Sequence, residues 1–200
     1  MTRQTFRSTF TRIMCVLAWG ICAAVAVGTL LVPGSFSAAP AMVLGAAGAA
    51  SLIGALLWAP ALHVDDDGID VDNIVRRFHV PWAALIHVDT RYALQLHTPG
   101  RLIAVTAAPA PGAGASLRAA RIQRRHGGVA EVDLRPGDLP TTDSGRAAAL
   151  VRGRWRQLRD AGLIEAGVAD ATPVGVRPYT RNLALMAIGA AALVASVLLV

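Results

Sequence analysis

Ile13 to Val32 is a run of twenty residues without a charge, IMCVLAWGICAAVAVGTLLV. About 20 such residues are needed to cross the hydrocarbon core of a bilayer. Ala41 to Ala59 and Asn182 to Val200 are also apolar and uncharged. These three runs constrain the chain more than any motif does. They leave only the middle for a domain that folds in water. A secretory signal also opens on a basic arm and an apolar run. The length of the first run, Trp19 within it and the second run close behind favour a span.

Pro33 to Pro40, PGSFSAAP, reads as the turn of a transmembrane hairpin with helices at 13–32 and 41–59. Gly45, Gly48 and Gly54 on the second helix would let another helix approach closely. The third run, 182–200, reads as a further span, with a surface-lying tail as its rival. Tyr179 and Arg181 are suited to the interface at its start. Cys15 and Cys22 lie in the first run and read as small apolar side chains.

Charge sets the expected orientation. All 19 basic residues are arginine, and the formal net charge is +6. Residues 1–12 hold Arg3, Arg7 and Arg12 with no acid, whereas the 33–40 turn has no arginine. Positive residues favour the cytoplasmic side. The N-terminus and the middle domain are therefore expected in the cytoplasm, at the plasma membrane. All 13 acids lie in the middle, interleaved with arginines. An anionic membrane surface is then a simpler partner than nucleic acid, which is not expected.

Within the middle, Val64 to Thr106 carries turn signals every eight to twelve residues, the pattern of an antiparallel meander. Asp67-Gly68 separates two strand-like runs. Ile69 and Val71 alternate with Asp70 and Asp72. Further strands are expected at 74–80, 84–88, 93–97 and 101–106, with Pro81-Trp82 restarting the pattern after the second. Two helices follow, at 116–126 and about 145–161. Ala147, Val151, Trp155, Leu158 and Gly162 form the apolar stripe of the second.

The residues Asp67-Gly68-Ile69, Val75 to Val80, Pro81-Trp82-Ala83-Ala84-Leu85-Ile86 and the alternating ALQLHTPGRLIAVTA resemble the bacterial PH-domain family. They are most similar to its actinobacterial branch, which includes the low molecular weight protein antigen 6 proteins. The resemblance covers Ala61 to Arg125 and the hairpin before it. It implies a PH-like antiparallel sheet or barrel with a closing helix. Together with the apolar runs, the chain reads as an α+β membrane protein with an N-terminal transmembrane hairpin before that domain and a C-terminal transmembrane helix after it. The organisation read is a basic cytoplasmic arm (1–12), the hairpin (13–60), a PH-like domain with a helix (61–126), a helical extension and linker (127–181) and the third span (182–200). Either helix could close the sheet.

Few residues point to chemistry. Asp65, Asp66, Asp67, Asp70 and Asp72 are rich in oxygen, but an EF-hand loop needs a Glu at position twelve, where Arg76 stands. His63, His79, His87, His97 and His126 lack zinc-ligand spacing. No nucleophile motif or phosphate loop is present. No metal, cofactor or enzymatic activity is expected. Arg76, Arg77, Arg91 and Arg101 are the candidate lipid- or partner-binding surface, if adjacent strands bring them to one end of the sheet. Trp82 reads as a core aromatic, and Arg118, Arg121, Arg124 and Arg125 as a basic helix face.

Three functions follow as expectations: a scaffold that binds a protein or peptide at the membrane, a sensor of anionic lipid, or an accessory subunit of a transport or secretion complex. A homo-oligomer is compatible with the small-residue helix faces.

Overall fold

The computed structural model describes residues 3–32, 37–91, 93–109, 139, 142–165 and 167–199. The chain forms two units, one of residues 1–8 and 61–177, the other of 9–60 and 178–200.

The second unit is helical. It contains α1 (Thr9–Leu31) and α2 (Ala39–Ile53, continued by a π-helical turn, Gly54–Trp58). A later helix, Thr180–Leu198, completes it. All three are long and apolar enough to cross a membrane. Ile21, Leu31, Ile188 and Val197 are among their exposed side chains. Such faces are stable in lipid and costly in water.

The glycines mark close helix crossings. A Cβ on Gly48 would stand 2.8 Å from the Gly189 carbonyl oxygen, and one on Gly189 would stand 2.9 Å from that of Gly48. Gly45 faces Ser196, and Gly54 faces the Trp19 ring. The expectation for Gly45, Gly48 and Gly54 is met at each position. Backbone approach is what substitutes for a hydrophobic driving force between helices in lipid.

The π turn has a specific compensation. The Ala59 N–H bonds to Gly54 O at 3.1 Å, one residue further back than in an α-helix. Ala55 O is left to Pro60, which has no N–H to give. The buried Asn182 side chain supplies it instead, donating to Ala55 O at 3.0 Å. At the same end, the Arg12 guanidinium lies 4.5 Å from the Trp58 ring, and Trp58 lies 5.4 Å from Trp19. This is the composition of a membrane–water interface.

The first unit holds two antiparallel sheets. Its strands are β1 (Gln4–Phe6), β2 (Ala61–Val64), β3 (Gly68–Asp72), β4 (Arg76–Pro81), β5 (His87–Asp89), β6 (Ala93–Thr98), β7 (Arg101–Pro109) and β8 (Gly175–Pro178). One sheet has the order β1-β2-β3-β4-β8, the other β5-β6-β7. Helix α3 (Asp143–Asp160) packs on both sheets, and the helix at 180–198 is therefore α4.

The core is built by strand alternation. Leu62, Val64, Ile69, Val71 and Val80 come from one sheet, and Val88, Leu94, Leu96, Ile103 and Val105 from the other. Ala147, Ala148, Val151 and Leu158 of α3 close it, with Trp155 packed at its margin. Thr142 caps α3, its Oγ1 accepting from the Gly145 N–H at 3.0 Å. Gly68 follows the expected Asp67 turn, where a Cβ would meet Val80 O at 2.5 Å.

Several details depart from the sequence reading. Residues 1–12 are not merely a basic arm: Gln4–Phe6 pair with β2, and α1 starts at Thr9. The strand expected at 84–88 is shorter. Trp82–Ala84 forms a 3-10 turn instead, because Trp82 is buried and its indole donates to Asp65 O at 3.0 Å. That turn carries the chain from one sheet to the other. The supposed linker contributes β8 to the first sheet. Helix 143–160 lies within the same compact unit as residues 61–109. Among the described residues it is the helix that packs across both sheets. The helix expected at 116–126, with its arginines and His126, lies outside the described residues.

Candidate partner-binding face and edges of the five-stranded sheet

Four arginines are expected together, and the register sets Arg91 apart from Arg101. Arg76 and Arg77 open β4 in the first sheet. Arg91 stands just before β6, and Arg101 opens β7 just after the β6–β7 turn. Thr98 pairs with Arg101, and Ala93 with Pro109. Arg91 and Arg101 therefore lie near opposite ends of a six-residue strand, roughly 20 Å apart at 3.3 Å per residue. No single phosphate reaches both. Arg77 is tied to Asp72, with N–O distances of 3.0 and 3.1 Å.

The structure assembles a different cluster. The outward residues of four strands share the face opposite the core. Thr5 pairs with His63, His63 with Asp70, and Asp70 with His79, so one residue per strand forms a row across the sheet. Asp72 pairs with Arg77 beside it. Asp70 lies between Arg3 and His79, at 2.7 Å from each. Thr5 Oγ1 is 2.9 Å from His63 Nδ1, and His63 Nε2 is 3.8 Å from Asp72. Arg3, His63, Asp70, Asp72, Arg77 and His79 line an open groove of about 620 Å³ with Phe78, Gly175 and Arg177.

Burial pushes the Asp72 carboxyl up. The hydrogen bond to His63 and the charges of Arg77, His63 and Arg3 outweigh that, and hold it below its ordinary value. Both carboxylates are therefore engaged. Arg177 is different: among the described residues it has no hydrogen-bond or ion-pair partner.

The rest of the acidic stretch is structural. Asp65 accepts from the N–H groups of Asp67 and Gly68 at 3.1 and 3.0 Å, fastening the β2–β3 turn. Asp66 pairs with Arg154 of α3. His87 and His97 face each other on the second sheet with ring centroids 5.6 Å apart.

A sheet's edge strands expose unpaired main-chain groups, and proteins cover them. Main-chain groups of two of the four edges, β7 and β5, are engaged by side chains, and β1 is held through side-chain contacts. Asn73 brackets β7, donating to Ala104 O at 2.7 Å and accepting from the Thr106 N–H at 2.8 Å. Arg152 of α3 donates to Val88 O of β5 at 2.8 Å. Beside β1, Ser8 donates to Asp143 at 2.5 Å and the Arg146 guanidinium lies 5.8 Å from the Phe6 ring. The fourth edge, β8, is exposed at all four residues, and among the described residues no side chain engages it.

The sheets, the β2–β3 turn and helix α3 now define a stretch that can be compared with known proteins. Residues 59–157 match the family model described as a bacterial PH domain. This stretch is similar to bacterial PH domains. The match takes in β2 to β7 and α3, and so includes the helix that packs across both sheets. It leaves out β1, β8 and all three apolar helices. No curated protein and no solved structure matches the chain.

Sequence reading missed β1, β8 and hence the groove of the PH-like unit. Weak signals were present. Thr5-Phe6 alternates polar with apolar, and Val174-Gly175-Val176-Arg177-Pro178 has β-branched residues at period two.

Proposed function

We propose that this protein is a membrane-anchored, non-enzymatic docking protein whose PH-like unit binds a protein or peptide partner at the cytoplasmic face of the plasma membrane. One observation carries the reading: side chains of the unit bind the main chain of β5 and β7 and tie down β1, and among the described residues none engages β8. An edge strand that is neither covered nor capped is suited to main-chain pairing with a partner. Polar residues on the outer face are held by carboxylate–arginine and carboxylate–histidine contacts, which support a rigid platform rather than a reacting centre.

The arginines support the orientation. Arg3, Arg7 and Arg12 precede the first span, and Arg177 and Arg181 flank the third. All five then lie on one side, as positive-inside sorting requires. Membrane helices before the PH-like stretch also support placement in the actinobacterial branch that resembles low molecular weight protein antigen 6.

Two experiments test this. In spheroplasts, external protease leaves residues 61–177 intact, and cleaves them only after lysis. Cleavage from outside overturns the cytoplasmic assignment. A photo-crosslinking residue in place of Val176, in native membranes, gives the same defined adduct in repeated preparations. Reproducible absence of an adduct from this and other surface positions of the unit removes the docking role.

A further inference from the structure

The β8 edge and the groove beside it meet at Gly175 and Arg177, of which Arg177 carries the charge. We infer that this edge takes an extended peptide with acidic side chains at alternate positions, added as a sixth strand outside β8. This rests on the docking role proposed above and names the place and chemistry of the partner.

The main chain supplies half of the recognition. β8 is the last strand of the order β1-β2-β3-β4-β8, and its four residues are exposed. A strand laid on its outer side continues the ladder without rearranging the core. Gly175 keeps β8 close to β4, since a Cβ there would stand 3.3 Å from that of His79. Val176 is a 38% exposed apolar residue on the opposite face of the strand from Gly175 and Arg177.

Charge supplies the other half. Three guanidinium groups, of Arg3, Arg77 and Arg177, line the groove with two carboxylates, of Asp70 and Asp72. Asp70 is engaged by Arg3 and His79, and Asp72 by Arg77 and His63. One positive charge is left, and it is on the edge strand itself. Directly opposed residues on neighbouring strands have Cβ atoms about 5 Å apart. A glutamate or aspartate facing Arg177 on an added strand is therefore within reach of a charge-assisted hydrogen bond. A lysine there meets a like charge. Alternation in the peptide follows from the strand period of two, which places every second side chain on the groove face.

The probe is a fluorescent peptide of alternating valine and glutamate, titrated into the full-length protein in uncharged detergent micelles and read by anisotropy. The expected result is saturable binding at least about tenfold tighter than that of the valine–lysine counterpart, since an opposed carboxylate is exchanged for a like charge. Arg177→Glu reverses the preference between the two peptides, and Arg177→Gln removes it. Methylating alternate backbone nitrogens of the valine–glutamate peptide abolishes binding, because ladder donors are lost. Equal binding of both peptides, or an unchanged preference in Arg177→Glu, overturns the acidic assignment. Retained binding of the methylated peptide overturns strand addition. If phosphatidylglycerol vesicles bind in an Arg177-dependent manner while the peptide does not, the groove serves lipid and the inference fails. A crosslinked partner at another surface, with no peptide bound at β8, sinks this inference while leaving the docking role standing.

Discussion

The two edges of the five-stranded sheet are made of similar pieces and are treated in opposite ways. β1 has three residues and β8 four, and each immediately precedes an apolar helix. β1 is latched: Arg3 reaches Asp70, Thr5 reaches His63, Ser8 reaches Asp143 and Phe6 packs against the core. β8 has its pairing with β4, four exposed residues and an arginine that is unpaired among the described residues. The difference teaches that position at an edge does not define a strand's role. What differs is whether side chains in and beside the strand tie it to the unit. β1 is tied to the PH-like unit, and β8 keeps an exposed edge among the described residues.

Substitutions should separate the two edges, the largest effect coming from apolar packing. Phe6→Ala removes a half-buried ring packed on the core, and should cost about 2 kcal/mol, below the 3–5 of a fully buried ring. Val176→Ala on the open edge should change stability by less than about 0.5 kcal/mol. Thermal unfolding of the full-length protein in detergent checks both. Equal costs would erase the distinction between latched and open.

A smaller effect is expected at the carboxylate that ties β1 down. Asp70→Asn loses the charge that holds Arg3 and His79. The pair with Arg3 is partly exposed, so the loss should be about 1 kcal/mol. Protease nicking before residue 9 should rise in parallel. If stability falls with no change in nicking, the latch is elsewhere.

Acid should loosen the same face through Asp72. Its folded-state pKa is lowered, so its contribution to stability is present in full above the ordinary value of 3.8. It is lost as pH falls from there through the lowered folded value. Asp72→Asn should be less stable than the natural chain near neutrality, with the gap closing at the acid end. A gap independent of pH would show that Asp72 acts by packing alone.

The smallest effect belongs to Arg177. Arg177→Gln should leave stability within about 0.5 kcal/mol, as for a surface residue without partners. A larger loss would mean that Arg177 serves the fold.

The sequence revealed what local patterns encode. Ile69 and Val71 alternate with Asp70 and Asp72, Leu94 and Leu96 alternate across β6, and the stripe through Ala147, Val151 and Leu158 marks the face of α3 that enters the core. The apolar runs and the Asp67-Gly68 turn were equally legible. The groove was not, because it joins Arg3, His63, His79 and Arg177 across the whole length of the unit. Such an assembly depends on register and on strands of three or four residues, too short to impose a period. The separation of Arg91 from Arg101 was hidden for a related reason. A meander reverses at every turn, so Arg91 and Arg101, before and after one strand, are carried to opposite ends. Arg76 and Arg77 point to opposite faces because they are adjacent in β4.

Hydrogen exchange of the full-length protein in uncharged nanodiscs, with and without the valine–glutamate peptide, tests the open edge most directly. Exchange at residues 175–177 should slow when the peptide is added, while exchange at residues 4–6 should not change. Unchanged exchange at 175–177 at saturating peptide, or equal slowing at both edges, would contradict the distinction between a latched β1 and an open β8.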